Sequence, residues 1–178
     1  MIRASIIASV FMAIMTVITS FETLAQAEVE WISFEEAVAR SKKEPKKLLI
    51  DIYTDWCGWC KKMDRDAYAN EKLAAYINEN YYAVKFNAEQ REDVEFDGHT
   101  FKFVANGNRG VHQLAAALTN NKLSYPTTVF MTEELEIIQP VAGYLDAKSI
   151  EPILVYFAED KFKEVEWPKY QKGYQSFL

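Results

Sequence analysis

Leu49-Ile50-Asp51-Ile52-Tyr53-Thr54-Asp55-Trp56-Cys57-Gly58-Trp59-Cys60-Lys61 is the stretch on which the reading of this chain turns. Its first half is apolar and rich in strand-forming residues. With Leu48 it predicts a buried central strand ending at Tyr53. The two cysteines follow closely, and a helical stretch from Lys61 to Ala69 follows them. Cys57 therefore stands between a strand and a helix start. A helix N-terminus presents unpaired N–H groups and a partial positive charge, which favour thiolate over thiol. The thiolate is the attacking species in disulfide exchange. Cys60 lies one turn later, so its sulfur can reach back to Cys57 and resolve a mixed disulfide formed there.

These are the only cysteines in a chain of 178 residues. A bridge closing so small a loop contributes about 2 kcal/mol in the chain-entropy picture, against over ~4 kcal/mol for a long one. A chain of this length buries a core without such a staple. Reactivity explains the pair better. A metal half-site is the competing reading. Zinc needs about four ligands, and here only His99 and His112 could add to the cysteines. Met63 could add a soft ligand for Cu(I). Both histidines otherwise read as surface or helix residues, and Lys61 and Lys62 as solvated cations near the thiols.

Hydrophobic residues make up 49% and charged residues 26%, a globular balance rather than a disordered one. The formal net charge of −6 argues against nucleic-acid binding, which needs a basic face. At the N-terminus, Arg3 is followed by an uncharged run from Ala4 to Phe21, then by Ala25-Gln26-Ala27. That pattern predicts a secretory signal, residues 1–27, cut after Ala27. An uncleaved membrane anchor is the rival reading, but the apolar run is near the short end of what spans a bilayer. Residues 28–178 then form one domain, exported to the periplasm or the extracellular space, with no stable membrane insertion.

Along the chain, Ser33-Phe34-Glu35-Glu36 is a capping box opening a helix to about Lys43. Asn70 caps a helix over Glu71–Asn80, and Tyr81–Phe86 reads as a second strand. Asp97-Gly98 sits between Val94–Phe96 and His99–Phe103, a two-residue hairpin signal. Asn106-Gly107-Asn108 and Gly110 mark a loop, and Val111–Thr119 a helix. Thr127–Met131 and Leu135–Gln139 are strands, and Asp146 caps a helix carrying Ile150, Ile153, Leu154 and Phe157 on one face. Alternating strands and helices predict an α/β fold, a central mixed sheet flanked by helices on both faces, with an inserted hairpin.

The quoted segment resembles the active-site segment of the thioredoxin superfamily, and Tyr125-Pro126-Thr127 resembles that family's cis-proline loop. The similarity covers about residues 31–157 and is best to exported thioredoxin-like proteins with a W-C-x-W-C-K core. It leaves an aromatic C-terminal extension, about 158–178, which either packs on the domain or docks a partner. The resemblance implies a thiol–disulfide oxidoreductase needing no cofactor and no metal. It makes Cys57 the exposed nucleophile, Cys60 the buried resolving thiol and Asp51 a buried acid that accepts the Cys60 proton. Pro126 would be cis, with Tyr125, Trp56, Gly58 and Trp59 around the substrate. Its partners would be disulfide-containing proteins and a redox partner protein. Two departures stand out. Thioredoxins carry Gly-Pro where this chain has Gly58-Trp59, and minimal thioredoxins lack the 89–110 insertion. Asp51 and the motif's context favour a reductant over an oxidase or isomerase. A non-catalytic binding module built on the Trp56/Trp59 rim is a further alternative.

Overall fold

β2 (Lys47–Tyr53) is the centre of the molecule. In the computed structural model, which describes residues 27–107 and 109–178, it pairs in parallel with β3 (Tyr81–Asn87) and antiparallel with β8 (Thr127–Met131). β1 (Trp31–Ile32) adds in parallel to β3, and β9 (Ile137–Ala142) adds antiparallel to β8. The five-stranded sheet runs β1-β3-β2-β8-β9. The predicted signal segment lies outside the described residues, apart from Ala27.

Strand alternation divides the core in two. Leu48, Ile50 and Ile52 face one layer, against Phe34 of α1 (Phe34–Ser41) and Leu114 of α4 (Gln113–Leu118). Leu49 faces the other, against Met63 of α2 (Gly58–Met63), Leu73 of α3 (Glu71–Asn80) and Leu154 of α5 (Ala147–Ala158). Asp51 shares the Leu49 side, so a carboxylate is set into the α2 layer. Local caps fix the helices. The Ser33 hydroxyl accepts from the Glu36 N–H, Asn70 Oδ1 from Leu73, and Asp146 Oδ1 from Ser149.

The inserted segment holds two hairpins where one was expected. β4 (Val94–Phe96) and β5 (His99–Phe101) meet across Asp97 and Gly98, both at positive φ. β6 (Phe103–Asn106) and β7 (Arg109–His112) form the second. The expected helix over Val111–Thr119 therefore starts later, at Gln113. His112 is its cap: Nδ1 accepts the Leu114 N–H at 3.2 Å, and Nε2 lies 3.0 Å from the Glu92 carbonyl. The ring is fully buried by this double anchoring, not a surface residue.

The last expected strand is shifted to β9, because Leu135 takes a positive φ in the preceding turn. The C-terminal extension packs on the domain. Trp167 and Tyr170 of α6 (Trp167–Gly173) lie against Tyr156 of α5. Beyond them, the buried Glu151 carboxylate accepts from the Tyr174 hydroxyl (3.0 Å), the Ser176 hydroxyl (2.6 Å) and the Phe177 N–H (2.6 Å). A buried charge with three donors is satisfied only when the tail is in place.

Candidate active site

The turn after β2 closes with the Cys57 N–H donating to the Thr54 carbonyl at 3.0 Å. This places Cys57 at the N-cap of α2, where its Sγ accepts the Cys60 N–H at 3.0 Å. Cys57 and Cys60 are joined in a disulfide, with Cα atoms 5.3 Å apart. A sulfur at this position is the group that an orphan helix N–H and the helix dipole would stabilise as thiolate.

In this oxidised form Cys57 is 4% and Cys60 2% exposed, so the expected contrast of an exposed and a buried thiol is not present. The reason is local. The Cys57 sulfur sits against the helix end, where it accepts the Cys60 N–H. Trp56 and Trp59, each 59% exposed, stand on either side. Trp56 meets Tyr125 edge-on at 5.9 Å, and Trp59 lies 5.3 Å from Tyr144. Gly58, between them in sequence, would meet nothing within 4 Å if it carried a Cβ.

The Tyr125–Pro126 peptide is cis. Its loop is tied to the sheet by the Gly143 N–H, which donates to the Pro126 carbonyl at 2.8 Å. The Tyr125 main chain makes no hydrogen bond among the described residues. An unpaired N–H and C=O at a sheet end are what an extended peptide needs for pairing.

Asp51 is 1% exposed. Its register partner on β3 is Lys85, and Oδ2 lies 2.7 Å from the Lys85 ammonium. Oδ1 is buried without a partner among the described residues. Burial pushes the Asp51 carboxyl above its ordinary value, and Lys85 opposes that shift without cancelling it. Lys85 also pairs with Asp64, in the π-helical turn Asp64–Tyr68 that continues α2. Burial works against the Lys85 charge, but the two carboxylates outweigh it and raise its pKa. The Trp31, Tyr53 and Tyr68 rings surround this ammonium at 4.9–5.4 Å.

Lys85 and Asp64 were missed in the sequence. A lone lysine in the apolar run of β3 was the available signal. Met63 is fully buried in the core and His99 bonds its own turn, Nδ1 lying 2.9 Å from the Asp97 carbonyl. Among the described residues no group of three or more His, Cys, Asp or Glu side chains could hold a metal ion.

The family model Thioredox_DsbH, described as a protein of unknown function, DUF255, matches residues 19–153. The chain belongs to the Thioredox_DsbH family. This Thioredox_DsbH chain shares its fold with a solved structure titled DsbH Oxidoreductase, at a TM-score of 0.56 and 17% identity, covering 80% of this chain and 92% of that one. A putative disulphide-isomerase from Bacteroides thetaiotaomicron superposes with a TM-score of 0.51 at 22% identity, over 72% of this chain and 93% of that one. Spermatogenesis-associated protein 20 of Rattus norvegicus is 28% identical over 120 residues, 67% of this chain but only 13% of that protein. The fold is thioredoxin-like, and it carries the Cys57–Cys60 pair in a CXXC arrangement.

Proposed function

We propose that the chain reduces disulfides in other proteins outside the cytoplasm, Cys57 attacking and Cys60 resolving. The observation that carries this reading is the Cys57–Cys60 pair at the N-cap of α2, which follows the strand that holds the buried Asp51. The names of the two structural neighbours, an oxidoreductase and a putative disulphide-isomerase, support the thiol–disulfide part of the reading. The Arg3, Ala4–Phe21 and Ala25-Gln26-Ala27 pattern supports export.

The reduced pair begins the cycle. The Cys57 thiolate attacks a substrate sulfur, forming a mixed disulfide and releasing one substrate thiolate. Asp51 takes the Cys60 proton, and the Cys60 sulfur then attacks Cys57 Sγ. The mixed disulfide breaks, the second substrate thiolate leaves, and the pair is oxidised. Two electrons have passed to the substrate. A dithiol redox partner returns them by the reverse exchange. The unpaired Tyr125 main chain holds the substrate as an added strand during these steps, and the Trp56 and Trp59 rings cover its flanks.

Insulin reduction with dithiothreitol as terminal reductant tests the proposal. The wild-type protein is expected to accelerate precipitation of the B chain, and Cys57→Ser to return the rate to that of dithiothreitol alone. A wild-type protein no faster than dithiothreitol contradicts it.

A further inference from the structure

The insertion builds a groove of about 380 Å³ against the Trp56 side of the disulfide. Asp55 and Trp56 line it, together with Glu89, Arg91, Phe103 and Arg109 among others. The Arg91 guanidinium lies over the Phe103 ring, 4.6 Å from its centre, and that of Arg109 over the Trp56 ring at 5.7 Å. The Phe103 ring rests where Gly110 has no side chain; a Cβ there would sit 2.2 Å from Phe103 Cζ.

Neither guanidinium joins a salt bridge among the described residues. Two carboxylates also line the groove, the exposed Asp55 and Glu89, and Glu89 Oε2 accepts the Trp56 indole N–H at 3.1 Å. Two ring-stacked guanidinium forks, neither in a salt bridge among the described residues, therefore stand in the groove of a chain whose formal net charge is −6. A planar fork held on a ring loses little freedom when it binds a carboxylate, so this arrangement is organised for one in advance.

We propose that this groove reads an Asp or Glu carboxylate of the substrate polypeptide, a few residues from the cysteine that Cys57 attacks. The proposal rests on the reading of the chain as a disulfide reductant and adds its substrate class. A peptide paired with the Tyr125 main chain crosses the disulfide beside Trp56, and its flanking side chains then reach Arg91 and Arg109.

The test uses two disulfide-linked peptides, alike except for Glu or Gln at the second and third positions on each side of the cysteine. At low salt the Glu peptide is expected to show a kcat/KM about five- to tenfold higher. The ratio falls toward one at about 0.5 M salt, and in the Arg91→Gln/Arg109→Gln variant. Equal rates at low salt, or a ratio that survives the double substitution, overturn the proposal. If neither peptide is reduced, the reductase reading fails on its own. The groove is then judged by titrating Ser-for-Cys forms of both peptides into the oxidised protein and following tryptophan fluorescence. Tighter binding of the Glu form, lost in the double variant, upholds the groove; equal binding of the two forms refutes it.

Discussion

Cys60→Ser is expected to convert the protein from a turnover catalyst into a covalent trap. With Cys60 gone, the Cys57 thiolate still forms at the α2 N-cap and still attacks a substrate disulfide. The mixed disulfide then lacks its intramolecular attacker and accumulates. An attacker one helical turn away acts at an effective concentration of about 10⁵ M or more, which no exogenous thiol matches. Non-reducing gels and mass spectrometry of the variant mixed with oxidised insulin should therefore show an adduct linked through Cys57. Cys57→Ser should give no adduct, because Cys60 lies inside α2 and lacks the N-cap position that stabilises a thiolate at Cys57. The reverse pattern, with adducts on Cys60, would assign the two sulfurs the opposite roles.

The second large effect is at Asp51, where activity and stability move in opposite directions. Asp51→Asn removes the base that takes the Cys60 proton. Resolution of the mixed disulfide should slow about 10²-fold at neutral pH, and the loss should shrink at alkaline pH, where Cys60 ionises unaided. The same substitution is expected to stabilise the oxidised protein at neutral pH, because it removes a carboxylate whose charged form burial disfavours while Lys85 keeps Asp64. The folded-state pKa of Asp51 is raised above its ordinary 3.8, so the folded protein binds more protons there than the unfolded chain. Stability is then lost as pH rises from the ordinary carboxylate value through the folded one. The advantage of Asn should be absent below that window and full above it. Urea denaturation at acid and neutral pH measures this, and an Asn variant less stable at neutral pH would contradict it.

What was legible in the sequence was local. The apolar run of β2, the helix caps Ser33, Asn70 and Asp146, and the Asp97-Gly98 turn each carry their geometry in a few adjacent residues. The spacing of Cys57 and Cys60 likewise placed both sulfurs at one helix end. What was hidden depends on partners distant in sequence. β1 is two residues long and exists through pairing with β3. The β6–β7 hairpin looked like a loop because Gly107 and Gly110 read as breakers, whereas Gly110 makes room for the Phe103 ring. Lys85 becomes part of the site only through the β2–β3 register, and Asp64 only because the helix loosens into a π turn beyond Met63. The tail was ambiguous until Glu151 was seen to hold it.

The reduction potential of the Cys57–Cys60 pair tests the central claim most directly. The native protein would be equilibrated with graded ratios of reduced and oxidised dithiothreitol and of glutathione. A value near the thioredoxin end of the fold's range, about −270 mV, is the predicted result for a reductant. A value near about −120 mV, at the oxidising end, would make the pair a disulfide donor. A bridge that does not equilibrate while the protein stays folded would make the cysteines structural and contradict a redox function outright.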